Sequence, residues 1–453
     1  MSKLERQSLV GKYRNYSTYR NSGVDWIGEM PAVWTLKRVK HMFTVRKRIA
    51  GELGYDILSV TQRGIVVKDI ESGEGQLSMD YSKYQRVKPG DFAMNHMDLL
   101  TGYVDISDYD GVTSPDYRVF TLDNTDYFAK YFLYIFQMGY QLRLFFHMGQ
   151  GASHLGRWRL ATDEFNEMVF PVPSCEEQRT IAAFLDYETA RIDLLITQQQ
   201  RLIELLKEKR QAVISHAVTK GLNPDAPMKD SGIEWLGQVP KHWVVSPLKY
   251  KCEFSGGGTP SKDNLEYWNG SIPWVSPKDM KSFWITDAED KITEQAIKES
   301  STKLVQPGAV LMVVRSGILQ RTIPVGINTI PVTMNQDMKA IRFSSAVYAE
   351  WLSFFIKGYE DSLLLDWRKQ GATVESIEHE YLANSLMLFP PEEEARSIIA
   401  ALGRRLDKFD QLEQRASDAI TLLQERRTAL ISAAVTGKID LRGWTPSAEE
   451  ATA

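Results

Sequence analysis

The feature that most constrains this 453-residue chain is an internal duplication. Residues 23–43 read GVDWIGEMPAVWTLKRVKHMF, and residues 232–252 read GIEWLGQVPKHWVVSPLKYKC, in one register without gaps. Self-similarity at a fixed spacing indicates one structural unit that is used twice. The shared positions include two tryptophans, two glycines and a proline in each copy: Gly23/Gly232, Trp26/Trp235, Gly28/Gly237, Pro31/Pro240 and Trp34/Trp243.

The duplication extends to the end of each copy. KRQAVISHAVTKG (209–221) aligns with RRTALISAAVTGK (426–438). The copies therefore span 23–222 and 232–441, and a linker rich in turn-forming residues, NPDAPMKDSG, joins them. We divide the chain into an N-terminal arm (1–22), a first globular domain (23–173), a first long helix (174–222), a second globular domain (223–391, with the linker at 223–231), a second long helix (392–441) and a tail (442–453).

Each globular domain has the pattern of a mixed fold. Short apolar runs bounded by turn residues, such as YDILSV and AVLMVV, predict strands. One longer helix is expected in each copy, around 126–147 and 346–366. Two further alignments link the domains, QRVKPGDFAM (85–94) with KLVQPGAVLM (303–312) and SPDYRVF (114–120) with NQDMKAI (335–341). The sequence predicts an α+β fold built from two duplicated mixed α/β domains.

The second part of each copy predicts a long helix. Apolar residues recur at alternating spacings of four and three over about five heptads, the pattern of a coiled-coil seam. We expect the two helices to pair as an antiparallel coiled coil, because two duplicated halves favour a pseudo-two-fold arrangement. Packing of each helix onto its own globular domain is the alternative. The seam residues are Ile181, Leu185, Ile192, Leu195, Leu202 and Leu206 in the first helix, and Ile398, Leu402, Phe409, Leu412, Leu423 and Leu430 in the second.

Composition excludes several classes of protein. The formal net charge is −4 and 43% of the residues are hydrophobic, which argues against a disordered polyelectrolyte and against a binder that is basic throughout. Two cysteines are too few for a disulfide framework or a zinc site. No stretch has the roughly 18 apolar residues of a membrane span, so we expect a cytoplasmic protein without a membrane partner.

No catalytic motif is present. SGGGTPSKD (255–263) is glycine-rich, but a phosphate-binding P-loop needs glycine directly before its lysine, and Ser261 stands there. The seven histidines are dispersed, and no metal-ligand spacing appears. We therefore predict a chain that is not an enzyme by itself and that holds no metal or cofactor of its own.

Local basic stretches favour nucleic-acid binding. Copy one has its densest run at 37–48, with no acidic residue from 30 to 51. Basic groups contact phosphates, and neighbouring amides and hydroxyls can read base edges. Two related but diverged domains suit a bipartite, asymmetric DNA site. The candidate DNA-binding residues are Lys37, Arg38, Lys47, Arg63, Asn95, His96 and Arg157 in copy one, and Thr259, Ser261, Lys262, Lys278, Arg315, Arg321, Asn335 and Gln336 in copy two.

Over nearly its full length the chain resembles a specificity (S) subunit of a type I restriction–modification system. The resemblance lies in SGVDWIGEMPAVW and SGIEWLGQVPKHW, which open the two copies, and in SGGGTPSKDNLEYWNGSIPWVSPKDM (255–280). It also lies in FPPEEEARSIIAAL (389–402) and in the helix ends ISHAVTKGL (214–222) and ISAAVTGKIDL (431–441).

The resemblance implies a function and a set of partners. Two target-recognition domains would read the two halves of a split DNA sequence, and the helices would set the gap between them. Two methyltransferase (M) subunits and restriction (R) subunits would assemble on this chain. S-adenosylmethionine, ATP and Mg²⁺ would belong to those partners, which would methylate adenine at N6 after base flipping.

Two other functions remain open. One is a non-catalytic coiled-coil scaffold without sequence-specific DNA binding. The other is a self-sufficient nuclease or methyltransferase, although the chain lacks the motifs that either chemistry needs.

Overall fold

The computed structural model describes residues 13–70, 78, 80–150, 158–369 and 374–446. The chain divides into two compact units, residues 1–200 with 418–453 (unit 1) and residues 201–417 (unit 2). Two long helices, α3 (Cys175–Lys220) and α8 (Glu392–Val435), each contribute one part to each unit. Each unit therefore contains one globular domain and helical segments from both copies.

Unit 1 contains two four-stranded sheets. One has the order β6-β5-β10-β7, and the other is antiparallel with the order β4-β11-β8-β9. Its strands are β1 (Tyr19–Asn21), β2 (Glu29–Pro31), β3 (Thr35–Arg38), β4 (Phe43–Arg46), β5 (Asp56–Thr61), β6 (Gly64–Val67), β7 (Gln85–Val87), β8 (Phe92–Met94), β9 (Val104–Ile106), β10 (Gly111–Thr113), β11 (Arg118–Leu122), β12 (Gly149–Gln150), β13 (Arg159–Leu160) and β14 (Val169–Val172), and its shorter helices are α1 (Ala129–Gln141), α2 (Thr162–Glu167) and the 3-10 turns Val39–His41 and Phe146–Met148.

An aromatic cluster between α1 and the antiparallel sheet forms the centre of unit 1. Phe120 is fully buried, and its ring lies 5.0 Å from that of Phe92 and 5.3 Å from that of Phe136. Phe43 and Phe165 complete the cluster from β4 and α2. Aromatic pairs of this geometry stabilise a core by about 0.5–1.5 kcal/mol beyond simple burial. Helix α1 is therefore held against the sheet that ends at the candidate residues.

Unit 2 has a similar plan, with five strands in its main sheet and three in its second sheet. Its main sheet has the order β18-β25-β22-β23-β20, beside a three-stranded sheet of order β21-β19-β24. Its strands are β15 (Met228–Asp230), β16 (Gln238–Pro240), β17 (Val244–Pro247), β18 (Cys252–Gly256), β19 (Trp268–Val275), β20 (Trp284–Ile285), β21 (Asp290–Ile292), β22 (Val310–Val313), β23 (Val325–Asn328), β24 (Thr333–Met334), β25 (Met338–Phe343) and β26 (Leu386–Phe389), and its shorter helices are α4 (Glu294–Glu299), α5 (Ala346–Gly358), α6 (Glu360–Trp367), α7 (His379–Asn384) and the 3-10 turns Leu248–Tyr250, Leu265–Tyr267, Pro277–Asp279 and Gly317–Gln320.

The long helices run antiparallel within each unit. In unit 1 the Arg427 guanidinium pairs with the Asp193 carboxylate at 3.0 Å, and in unit 2 Arg210 pairs with Asp410. In unit 1 Phe184 of α3 also contacts Trp444, which lies beyond the end of α8, and in unit 2 a Cβ atom on Gly221 would lie 3.4 Å from the Glu394 carboxylate. Within each unit, increasing numbers along α3 therefore meet decreasing numbers along the second helix.

The Ser174 hydroxyl caps the start of α3. Its oxygen accepts a hydrogen bond from the Glu177 amide at 3.2 Å, which satisfies one of the backbone N–H groups left without a partner at a helix start.

The end of each long helix packs on the opening motif of the other copy. A Cβ atom on Gly437 would lie 3.0 Å from the ring of Trp34, and one on Gly221 would lie 3.2 Å from the ring of Trp243. Both glycines have φ near +70°, a conformation that side chains disfavour. The buried tryptophans of the repeated motif are therefore the surfaces on which the helix ends dock.

The predicted seam is wrong in the middle of both helices. Leu195, Leu202 and Leu412 are 44%, 41% and 44% exposed, whereas the neighbouring Ile196 and Ile203 are half-buried. An α-helix has 3.6 residues per turn, so a strict 3.5-residue pattern drifts around the helix by about 20° per heptad. The seam residues that are buried or half-buried are Ile181, Leu185, Ile192, Leu206, Ile398, Leu402, Phe409, Leu423 and Leu430.

Two polar side chains are buried at one end of the antiparallel sheet of unit 1. Arg118 is 3% exposed, and its Nη2 donates to the Leu160 carbonyl at 3.1 Å. His96 is 6% exposed, and burial, together with the charges of Arg118 and Arg159, lowers the pKa of its imidazole to about 3. His96 is therefore neutral at pH 7. It does not present its ring to a base edge, contrary to its place among the sequence-predicted DNA contacts.

The seam drift predicts unequal costs for two equivalent-looking substitutions in unit 2. Leu206→Ala removes a side chain that is 8% exposed and should lower the free energy of unfolding by about 2–5 kcal/mol. Leu202→Ala removes one that is 41% exposed and should cost below about 1 kcal/mol. Denaturant unfolding of both variants measures these losses. Equal losses of unfolding free energy would show that Leu202 is packed as the regular heptad pattern predicts.

The buried imidazole predicts an acid-sensitive contribution to stability. The unfolded chain protonates histidine near the ordinary pKa of 6.5, whereas folded His96 resists protonation until about pH 3. The unfolded state therefore binds the extra proton, and the free energy of unfolding falls as the pH decreases between these values. Urea unfolding at several pH values should show a shallower acid loss for His96→Gln. The exposed His41→Gln serves as the control and should follow the wild type.

Candidate nucleic-acid interface

Some of the candidate DNA-binding residues lie at equivalent ends of two equivalent sheets, namely Lys47, Asn95 and His96 in unit 1 and Thr259, Arg315, Asn335 and Gln336 in unit 2. The repeat alignment matches β8 with β22 and β11 with β25, and the strand order β4-β11-β8-β9 matches β18-β25-β22-β23. In each unit the polar residues follow the carboxyl end of β8 or β22 and lie beside the amino end of the central strand. Strand pairing thus assembles residues that are distant in the chain.

In unit 1 this end combines cations with an amide. Arg46 pairs with Val119 in the sheet, so Lys47 follows at the end where Arg118 begins β11. Asn95 directly follows β8, and its side-chain oxygen accepts the Met97 amide at 3.3 Å. Lys47 is exposed and forms no ion pair with the residues that the structure describes. Lys47 and Asn95 lie at the same end of this sheet with β11 between their strands, so an ammonium for a phosphate and a carboxamide for a base edge are available at one sheet end.

Arg159 belongs to this end, although sequence analysis does not include it among the candidates. The Leu160 amide donates to the His96 carbonyl at 2.9 Å, which places β13 beside the end of β8. Arg159 is exposed, and within the described part of the chain it has no acidic partner. The arginines on either side of Trp158 are the signal that points to it. Arg157, its predicted counterpart, lies outside the described residues.

In unit 2 the corresponding end presents an arginine and a glutamine. The Val314 and Arg315 amides donate to the Asp337 carbonyl at 2.8 and 3.2 Å, which brings Arg315 beside Gln336. The Thr259 hydroxyl donates to the Gln336 side-chain oxygen, so the amide nitrogen of Gln336 points away from that bond. Arg315 and Gln336 are both exposed. Arginine and glutamine are the side chains that read guanine and adenine edges in a bidentate manner.

The glycine run of unit 2 has a structural role. A Cβ atom on Gly257 would lie 1.9 Å from the Asn335 carbonyl oxygen, and the Gly258 amide donates to the Met334 carbonyl at 2.8 Å. Glycine is needed because the two backbones touch. The run positions Thr259 next to Gln336.

Two predicted contacts in copy two are already engaged. Asn335 is 7% exposed, and its side chain donates to Asp337 at 3.2 Å, so it supports the loop and does not face outward. The Lys278 ammonium lies 2.9 Å from Asp290 and 3.4 Å from Glu289. These pairs raise the pKa of Lys278 and neutralise its charge locally.

The basic run of copy one is largely neutralised by acids from distant segments. Glu167 pairs with both Arg38 and Lys40, which lowers the pKa of its carboxyl. Arg46 pairs with Asp123 at 3.0 Å, and Arg48 pairs with Asp91 at 2.8 Å. The Lys37 ammonium donates to the Tyr127 hydroxyl at 2.6 Å. The run contains no acidic residue, but acids from other parts of the chain neutralise most of its positive charge in the folded protein. The remaining candidates, Arg63, Ser261, Lys262 and Arg321, are exposed.

Two further features of the described residues bear on function. No three histidine, cysteine or acidic side chains among them come together as a metal site requires. Within the same residues, no helix has the length and apolar character of a membrane span.

Comparison with known proteins identifies the family. A family model described as type I restriction modification DNA specificity domain matches residues 70–205 and 240–422. The chain is 36% identical over 195 residues to the EcoR124I/EcoR124II specificity subunit of Escherichia coli, covering 42% of this chain and 44% of that protein. It is 32% identical over 173 residues to the MjaIX specificity subunit of Methanocaldococcus jannaschii, covering 37% and 38%. The chain thus aligns with less than half the length of these relatives.

A solved structure supports the fold. A chain from a structure that concerns complex assembly and conformational transition of the type I R-M system superposes with a TM-score of 0.70 at 15% identity. The match covers 90% of this chain and 99% of that chain. At this identity the likeness concerns the fold alone. Together with the family model, which matches more than half of the chain, it confirms the resemblance drawn from the repeated motifs. The chain belongs to the specificity subunits of type I restriction–modification systems.

Proposed function

We propose that each unit reads one half of a bipartite, asymmetric DNA site. The observation that carries this proposal is the placement of polar side chains at equivalent ends of two equivalent sheets. The side chains themselves differ, with Lys47, Asn95 and Arg159 in unit 1 and Arg315 and Gln336 in unit 2. Equivalent placement supports a common task, and different donors and acceptors support different half-sites.

The chain acts as a non-catalytic targeting subunit in the cytoplasm. It directs two methyltransferase subunits and the restriction subunits to the site that it recognises. S-adenosylmethionine, ATP and Mg²⁺ are used by these partners, which carry out adenine-N6 methylation and DNA translocation and cleavage. Family membership supports this division of labour.

Helices α3 and α8 form the antiparallel coiled coil that sets the gap between the half-sites. The ion pairs Arg427–Asp193 in unit 1 and Arg210–Asp410 in unit 2 support antiparallel pairing. A helix advances 1.5 Å per residue, so its length is a mechanical measure of spacing.

A helix deletion tests both recognition and spacing. Removing residues 196–202 shortens α3 by about 10 Å, and at 3.4 Å per step this equals about three base pairs. Methylome sequencing of a host that carries the methyltransferase subunits should show a two-part motif with the wild-type chain. The deletion should change the gap or abolish methylation. Leu202→Ala, which keeps the helix length, should leave the motif intact. Methylation indifferent to sequence in the wild type would contradict the proposed function.

Side-chain substitutions at the two sheet ends test which residues read DNA. Arg315→Ala in the assembled methyltransferase should weaken binding by about 1–3 kcal/mol, or about 5- to 150-fold, and relax only one half of the motif. Lys47→Ala should act on the other half and reduce the salt dependence of binding. Arg404→Ala, exposed on α8, is the control. Unchanged DNA affinity in both test variants would favour the scaffold without sequence-specific binding.

A further inference from the structure

Unit 1 contains a large cavity beside the opening motif of copy one. Its volume is about 950 Å³. It lies between the opening motif of copy one, where Trp26 contributes to the wall, and the end of α8, where Thr428, Ser432 and the directly following Thr436 line it. Leu142, just beyond the end of α1, forms another part of the wall and is 43% exposed. In unit 2 a smaller cavity of about 440 Å³ lies beside the matching Trp235, but residues of α6 and α7 line it and none of α3 does.

The internal repeat shows what fills the matching cleft in unit 2. The positions that align with Thr428, Ser432 and Thr436 are Gln211, Ser215 and Thr219 on α3. The end of α5 covers these three residues. Gln211 Nε2 donates to the carbonyls of Lys357 and Gly358 at 2.7 and 2.9 Å, and a Cβ atom on Gly358 would lie 3.2 Å from the Ser215 Cα.

An aromatic side chain completes the filling of unit 2. The Tyr359 hydroxyl is hydrogen-bonded to Thr219, and its ring lies 5.1 Å from that of Trp235, the repeat partner of Trp26. The Thr436 hydroxyl donates to the Ser432 carbonyl just as the Thr219 hydroxyl donates to the Ser215 carbonyl, both at 2.6 Å. The difference is that Thr219 is also bonded to the Tyr359 hydroxyl, whereas no described tyrosine bonds to the Thr436 hydroxyl.

Leu142 follows α1 as Tyr359 follows α5, so the described part of unit 1 has a leucine at the position that holds the tyrosine in unit 2. Phe170 packs on the Trp26 ring at 6.2 Å and Tyr19 lines the cavity, yet the space beside Trp26 stays open.

The rim of the cavity is acidic. Asp25, Glu29 and Glu425 line it, are exposed, and form no ion pair with any residue that the structure describes. The Lys438 ammonium, also on the wall, is occupied by the carbonyls of Ile27 and Glu29. An occupant that carries positive charge beside an aromatic group complements this surface.

We propose that the cavity is a docking socket for one methyltransferase subunit, which inserts an aromatic side chain beside Trp26 and presents basic residues to the acidic rim. The inference rests on the proposed function, because it assumes that methyltransferase subunits assemble on this chain. Unit 2 closes the matching cleft with Tyr359, so the two methyltransferase subunits are held unequally. The subunit at unit 1 depends on the socket, and the other does not.

Ser432→Phe tests the socket by filling it from α8, and Ser432→Ala is the matched control that keeps it open. Native mass spectrometry of the full chain with excess methyltransferase subunit should show two bound copies for the wild type and for Ser432→Ala. Ser432→Phe should retain one copy, with at least a tenfold loss of affinity at the other site. Two copies bound at wild-type affinity, or loss of both, would overturn the proposal.

A charge reversal provides a second measurement that does not alter the helix packing. Glu425→Arg lies at the exposed rim and should also weaken one of the two sites, whereas Asp361→Arg, exposed in unit 2, should weaken neither. If a thermal melt shows that Ser432→Phe does not fold, the test rests on Glu425→Arg. Binding of two methyltransferase subunits at wild-type affinity by Glu425→Arg would then refute the proposed socket. A wild-type chain that binds no methyltransferase subunit would refute the proposed function instead.

Discussion

Burial of the apolar faces of two long helices is the interaction on which both units depend. Ile431 and Val435 of α8 join Phe184 of α3 in the core of unit 1, and Ile214 and Val218 of α3 join Ile398 of α8 in the core of unit 2. Each core thus draws on both copies. Because residues of both copies are buried in each core, each globular domain packs against helical residues from the other copy as well as its own.

This shared construction leaves the outer sheet ends free to diverge. The tryptophans of the opening motif are held by the helix ends, which explains why Trp34 and Trp243 are repeated while the polar residues beyond β8 and β22 are not. Packing of the helix ends on the tryptophans is the same in both units, whereas the polar residues beyond β8 and β22 differ. This arrangement suits a molecule whose two halves are proposed to recognise different DNA sequences. The same divergence leaves a cavity in unit 1 where Tyr359 fills unit 2.

Much of the architecture was predictable because its causes are local. The capping serine before α3, the heptad spacing and the turn residues around short strands act over a few residues. The candidate site was less predictable. No acid lies near Arg38, Lys40 and Arg46 in sequence, yet Glu167 and Asp123 pair with them across the fold. The sequence places His96 among the candidate DNA contacts, yet it is buried beside Arg118.

The sequence by itself determined the duplication, the mixed α/β domains, the two long helices and the family, because repeats and periodicity can be read along the chain. Only the tertiary structure decided which charges remain free, where the seam leaves the ideal heptad, and that Arg315, Gln336 and Thr259 meet at one sheet end. The physical reason is that ion pairing, burial and strand pairing join residues about 30 to 235 positions apart. Local spacing carries no information about such partners.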